Sequence, residues 1–333
     1  MSGSDLNSDT AHFKGIDTMN SKKLPGYGLR VLLLLLPTTA SFAEDIPIGW
    51  ASVDGGTTGG QGGAIVTVSD PSSLVAQAES KLPLIIRVSG TIHLTSPVRV
   101  KSTKTIVGMG QGATIQGGGF HITKVSNIII RNLTITGATD AINVEGASHH
   151  IWVDHCDLSN CTDGLLDIKH GSDFVTVSWN HFHNHHKTCL LGHSDKDEIR
   201  QIDTGHLRVT YHHNFFDGTK TRHPRVRYAE PVHVFNNYFK NNEYGVAALM
   251  DSGVLVEGNV FENVEHPTHT QSGDSPGPGR LVERDNIYIK SGAPEVRGSV
   301  AEPRTAYRYT LDKPADIAAS VGQGAGPGKL ASW

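Results

Sequence analysis

The chain has 333 residues, 37% hydrophobic and 19% charged, enough to bury a large core and too apolar for a disordered segment. Lys and Arg total 29 against 33 Asp and Glu, a formal net charge of −4, which gives no support to a nucleic-acid binder. Three cysteines exclude a disulfide framework. Cys156, Cys161 and Cys189 allow at most one bridge and read best as small buried residues.

Lys22, Lys23 and Arg30 precede the apolar run Val31 to Leu36, and small residues follow to Ser41-Phe42-Ala43. Basic flank, short apolar stretch and small residues at −3 and −1 describe a secretory signal peptide. The run is far below the ~20 residues that span a bilayer. Met19 begins a signal of ordinary length, so the residues before it read as an upstream extension. The expected organisation is a signal over residues 1–43 and one secreted domain over 44–333, with no membrane contact after signal removal.

Gly55 to Gly63 is a glycine-rich loop, and no G-x-x-x-x-G-K-[ST] makes it a phosphate cradle. One short helix follows: Asp70 caps it, Pro71 suits its first turn, and Leu74, Val75 and Leu82 form an apolar side. Short strands come next. The clearest are Ile128 to Ile130, Ile151 to Val153, Phe174 to Val177, Val209 to Tyr211, Val232 to Phe235 and Val254 to Val256.

Each strand is followed by an apolar anchor: Ile135, Leu158, Phe182, Phe216, Phe239 and Phe261. All the intervals between them are alike except the one from Phe182 to Phe216, which is longer. Two residues before the last four anchors stand Asn180, Asn214, Asn237 and Asn259. Such a period with short strands predicts an all-β solenoid. Coils then stack ~4.8 Å apart, and the asparagines form a ladder along the axis. Six anchors in register argue against an antiparallel sandwich. The one long interval implies an insertion near Ser194–Thr204, a natural place for function. A capped solenoid is compatible with a monomer.

Five residues after the first four anchors stand Asp140, Asp163, Lys187 and Thr221, with Arg222 next. Stacking sets Asp140 beside Asp163, and two carboxylates that close require a cation or a proton between them. Asp167 joins them only if the chain turns after Asp163, since four extended residues span ~13 Å. Three carboxylates with waters make an oxygen-rich site suited to Ca²⁺. Lys187, Arg222 and Arg227 bring cations to the same line. Structural salt bridges are one reading of this mixture; binding of a carboxylate-bearing polyanion is the other.

The motifs Ile151-Trp152-Val153-Asp154-His155, Asp163-Gly164-Leu165-Leu166-Asp167-Ile168-Lys169, Val175-Thr176-Val177-Ser178-Trp179-Asn180, Lys187 and Arg222-His223-Pro224-Arg225-Val226-Arg227 resemble the pectate lyases of the parallel β-helix class. The resemblance covers roughly residues 48–300. It implies a right-handed parallel β-helix that cleaves de-esterified pectin, or polygalacturonate, with Ca²⁺. It implies Asp140, Asp163 and Asp167 as calcium ligands, Arg222 as catalytic base, and Lys187 and Arg227 as substrate-binding cations. A further aspartate of some members, two residues before the first ligand, is Ala138 here. His223 and Ala229 also depart from the expected small residue and glycine. Trp152, Asp154 and His155 lie off the cleft register and read as structural.

In the implied chemistry Ca²⁺ binds the C6 carboxylate of a galacturonate unit, Arg222 takes the C5 proton, and β-elimination expels the C4 oxygen to leave an unsaturated end. Arginine is normally protonated at accessible pH, so alkaline conditions are expected and Lys187 stays open as an alternative base. Among rivals, a pectin lyase needs no Ca²⁺, and the three aspartates argue against it. A polygalacturonase lacks its Asn-Thr-Asp and Asp-Asp signals here. His181, His183 and His185 alternate on one strand face and could bind Zn²⁺, but without H-E-x-x-H or paired CxxC they read as polar lining. A non-catalytic polysaccharide binder would be expected to lose Arg222 or the aspartates.

Overall fold

The structure is a computed structural model that describes residues 46–273 and 275–330. The expected signal over residues 1–43 lies outside these residues. Among the described residues no helix is long and apolar enough to cross a membrane.

Three parallel sheets run the length of a β-helix. Sheet A has ten strands, from Ala64–Val68 to Arg280–Arg284; sheet B has nine, from Thr91–His93 to Ile287–Ile289; sheet C has eight, from Val98–Arg99 to His266–His269. One coil visits them in the order A, B, C, as in Ser126–Arg131, Leu133–Thr136 and Ile142–Glu145. All six predicted strands lie in sheet A.

The predicted anchors form one column in sheet B, each paired in register with the next. They point inward and are fully buried. Phe182, Phe216, Phe239 and Phe261 stack with ring centroids 5.1, 4.8 and 4.4 Å apart, and Tyr288 continues the pile at 5.3 Å. Matching rings one coil apart stack along the interior, the close packing that a stable solenoid core requires.

The turn from sheet A to sheet B is made by single left-handed residues: Trp179, His213, Asn236, Gly258 and Asp285 have φ between 52° and 64°. The asparagine after each one secures the corner. Nδ2 of Asn180, Asn214, Asn237 and Asn259 donates to Oδ1 on the next coil at 3.0, 3.0, 3.0 and 2.9 Å. The backbone N–H of the same residues donates to the same oxygen. The ladder thus extends one rung past the predicted four, to Asn286, and its buried amides are satisfied.

Helix α1, Pro71–Ala78, has Asp70 as its N-cap, accepting from the Ser73 N–H at 3.0 Å. Leu74 is fully buried, but the helix ends before Leu82, which is 67% exposed and no part of the apolar side. The insertion forms helix α2, Asp197–Asp203. Helix α3, Pro314–Gly324, lays Ile317 and Val321 against Trp179, Tyr238 and Val260 on the outside of sheet B. All three thiols are free; Cys156 and Cys189 are buried, and burial pushes Cys156 up to about 12.

Trp152, Asp154 and His155 are structural, as expected. Asp154 is fully buried, 2.8 Å from Arg131 and 2.7 Å from His155 Nδ1, and accepts from Ser178 Oγ at 2.6 Å. Burial works against its charge, and His155 and Arg131 still hold the carboxyl below its usual range. The Trp152 indole N–H donates to the same Ser178 at 2.9 Å, and Arg131 stacks 4.3 Å over the indole ring.

Candidate active site

The site lies where successive coils turn from sheet B into sheet C. Between the coils of Asp140 and Asp163 the repeat changes length. In sheet B, Ile135 pairs with Leu158; in sheet C, Ile142 pairs with Leu166, so the offset between coils grows by one position. The extra residue falls in the turn that holds Asp163 and Gly164. Asp163 N–H donates to Thr139 O at 2.8 Å, and Gly164 N–H donates to Asp140 Oδ1 at 2.8 Å. Asp140 therefore faces Gly164 rather than Asp163, a one-residue departure from the register read from the anchors.

The chain does turn between Asp163 and Asp167. A Cβ at Gly164 would lie 2.3–2.7 Å from the Asp167 carboxylate, so only glycine leaves room for that carboxylate to fold back over the turn. Gly164 touches both Asp140 and Asp167, and the two carboxylates converge around it. Asp167 is 4% exposed and Oδ1 accepts one backbone N–H, from Leu190 at 3.2 Å. Burial, then the neighbouring Asp140 charge, push its carboxyl up to about 7. Its in-register neighbour Asn143 shares the outward face, with a buried side-chain oxygen that has no hydrogen-bond partner. A buried acceptor without a donor, beside a buried carboxylate, is a set of oxygens that could hold a hard cation.

Asp163 is more open. Its Oδ1 accepts from Lys187 Nζ at 2.9 Å, and that hydrogen bond leads the causes holding the carboxyl below its ordinary value, with Lys187 and Arg222 charges adding. The pair is half-exposed, 42% and 54%, so it adds little to stability and can part to admit a ligand. Lys187 bridges to Thr221 on the next coil, as the spacing predicted.

Arg222 has φ 69°, and its carbonyl accepts from Cys189 N–H at 2.7 Å. Among the described residues no hydrogen bond or ion pair engages its guanidinium. Its charge lowers both Asp163 and Asp167, which places it at the acidic corner. The next residue, His223, is fully buried: Nδ1 donates to Tyr244 O at 2.6 Å and Nε2 accepts from the Thr219 hydroxyl at 2.8 Å. Burial lowers this imidazole to about 3, so it is neutral and fixes the backbone under Arg222. The unusual histidine is thus a support for the arginine.

Arg227 differs from the other cations. It is 6% exposed, with Nε donating to Asp195 Oδ1 at 2.5 Å and Nη1 to Gly192 O at 3.2 Å. The inserted segment therefore grips it. Asp195 was not singled out in the sequence, although it sits in the insertion the spacing revealed. Lys220 was also missed. It borders a hollow of about 500 Å³ walled by Asp163, His185, His186 and Lys187, and a second of about 740 Å³ that reaches Glu243 and Lys290. Its signal was its place one residue before Thr221 in the shared register. Ala138, where an extra ligand was expected in some members, is 1% exposed and adds no donor to the corner.

A sequence model of the pectate lyase family matches residues 28–329. Probable pectate lyase B of Aspergillus terreus is 45% identical over 238 residues, covering 68% of this chain and 72% of its own length. The pectate trisaccharide-lyase of Bacillus licheniformis is 36% identical over 303 residues, covering 85% of this chain and 86% of its own. Among solved structures, a pectate lyase from Bacillus sp. N165 in complex with trigalacturonate superposes with TM-score 0.77 at 31% identity, over 85% of this chain and 99% of that one. A parallel β-helix with this acidic corner, matched at these levels along its length, belongs to the pectate lyase family.

Proposed function

We propose that the protein is a secreted pectate lyase that cleaves polygalacturonate by calcium-assisted β-elimination, yielding oligogalacturonides with a 4,5-unsaturated end. The observation that carries this reading is the pairing of a buried carboxylate, Asp167, raised to about 7 by burial and Asp140, with the Arg222 guanidinium, whose charge acts on Asp163 and Asp167 while no hydrogen bond or ion pair among the described residues holds it. The names of the relatives, pectate lyases and pectate trisaccharide-lyases, support the substrate.

Asp140, Asp163 and Asp167 would hold Ca²⁺, and the side-chain oxygen of Asn143 adds a fourth oxygen beside Asp167. The donor set is all oxygen, as the ion requires. Such an ion would supply positive charge to neutralise these carboxylates and to offset negative charge developing next to the substrate carboxylate. The chain's own residues do the rest. Lys187, released from Asp163, holds a substrate carboxylate as a point charge. Arg222, fixed from below by His223, takes the proton from C5 when its guanidine is neutral, the form that alkaline conditions favour. The electron pair left on C5 forms the C4–C5 double bond as the C4 oxygen departs. Arg227 is the second substrate-binding cation, oriented by Asp195. Lys220 borders both hollows, and the second mixes it with Lys290, Glu243 and Glu265, so a polar surface runs on along the coils, which suits a polymer rather than a single sugar.

The alternative, a pectin lyase acting on methyl-esterified chains, has no use for converging carboxylates. The discriminating experiment follows near-ultraviolet absorbance of residues 44–333 with polygalacturonate at alkaline pH, with added Ca²⁺ and then with chelator. A Ca²⁺-dependent rise supports elimination. Reducing ends without absorbance mean hydrolysis and refute it.

A further inference from the structure

The outer face of sheet B carries a second group of potential ligands, apart from the acidic corner. Leu158 and Phe182 point inward and are fully buried, so their strand neighbours Asp157, His181 and His183 point out. Asp157 and His181 are in-register partners on adjacent coils. Asp157 Oδ2 lies 3.1 Å from His181 Nδ1 and 3.0 Å from His183 Nε2. One donor atom from each of the three falls within 4.8 Å of the others. A tetrahedral ion with bonds of about 2.0–2.2 Å sets its donors about 3.4 Å apart; the His181 and His183 rings stack at 4.5 Å and 21°, so one imidazole must rotate about its side-chain bonds to close on an ion.

Asp217 adds an independent feature. Its Oδ2 lies 3.3 Å from His181 Nε2, the nitrogen that faces away from Asp157. A carboxylate on the far nitrogen of an imidazole fixes the tautomer and aims the near nitrogen at a metal. All three side chains keep 19–27% exposure, so an ion can enter from solvent. Two imidazoles and one carboxylate suit Zn²⁺ or a neighbouring transition metal, whereas Ca²⁺ takes oxygen.

We propose that Asp157, His181 and His183 form a transition-metal site of the Zn²⁺ class, with His181 oriented by Asp217, bracing two adjacent coils on the outside of sheet B. The site is separate in place and chemistry from the calcium-type corner. His183 stands two residues before His185, whose ring contacts the Asp163 carbonyl, so the braced strand leads directly into the catalytic corner.

The test titrates Zn²⁺ into metal-free protein against a chromophoric chelator, and records the visible spectrum of the Co²⁺ form. One equivalent per chain is expected, with Co²⁺ bands of a four-coordinate nitrogen and oxygen site. His183→Gln and Asp157→Asn should each remove the uptake. Asp217→Asn should keep the stoichiometry and weaken binding about 10–100-fold, the range for an orienting partner. Asp167→Asn should leave uptake unchanged. No uptake, uptake indifferent to both His183→Gln and Asp157→Asn, or uptake lost only in Asp167→Asn would overturn the proposal. If either ligand variant fails to fold, the other variant and the Co²⁺ spectrum of the native chain decide.

Discussion

Replacing Asp167 by asparagine should make the metal-free protein more stable while destroying its activity. Asparagine is close in shape and keeps an oxygen for the Leu190 N–H that Asp167 now accepts at 3.2 Å. What it removes is a charge that the fold resists. Burial and the Asp140 charge raise the Asp167 carboxyl from 3.8 to about 7. At about 1.4 kcal/mol per pH unit, that gap corresponds to about 4 kcal/mol as an upper bound. Because the folded value is raised, the favourable contribution is complete below pH 3.8 and is lost as pH rises through about 7. At alkaline pH with chelator, urea denaturation should therefore find Asp167→Asn more stable than the native chain by about 1–3 kcal/mol, the bound reduced by relaxation. The advantage should fade as pH falls below about 7 and vanish only below 3.8, where the carboxyl is protonated in the unfolded chain as well. Added Ca²⁺ should stabilise the native chain and not the variant. A variant less stable than the native chain in alkaline chelator, or a difference independent of pH, would refute the reasoning about this corner.

Arg222→Lys should lower kcat about 10²–10⁴-fold, the range for a lost general base. Lys187→Ala should mainly raise KM; retained kcat in Arg222→Lys with abolished kcat in Lys187→Ala would make Lys187 the base instead. Asn237→Ala removes the acceptor of both Asn214 N–H groups and the donor to Asn259, so urea denaturation should show a loss of about 3–5 kcal/mol. A loss under about 1 kcal/mol would mean that the ladder contributes little. Asp195→Ala leaves the buried Arg227 without its carboxylate; a drop of about 3 kcal/mol is expected in the same assay, with a raised KM for polygalacturonate.

The coil architecture was legible because a solenoid repeats its demands. The same corner needs the same asparagine, and the same interior slot needs the same ring, so Asn180 to Asn259 and Phe182 to Phe261 could be read from spacing alone. Tyr288 and Asn286 escaped because the last coil, which pairs Phe261 with Tyr288, is longer than the two before it and breaks the period. Helix α3 carries a proline start and the Ile317/Val321 pair, but the surface it covers exists only once Trp179, Tyr238 and Val260 are stacked from different coils.

The acidic corner was legible as a set of residues and less so in its geometry. Anchor spacing carries register along a sheet, not through the turn that follows. One added residue at Asp163–Gly164 therefore moved Asp140 opposite Gly164. The glycine also allows Asp167 to fold back, a condition that spacing could state but not resolve. The Asp195 grip on Arg227 reaches across from a loop outside the repeat, where periodicity has nothing to say.

The most direct test of the account is the mass spectrum of products made from polygalacturonate in water enriched in heavy oxygen. Elimination adds no water across the cleaved bond. The account predicts new non-reducing ends one water lighter than hydrolytic ends, with no heavy oxygen incorporated during bond cleavage. Products carrying one heavy oxygen per cleaved bond, and no unsaturated ends, would contradict it.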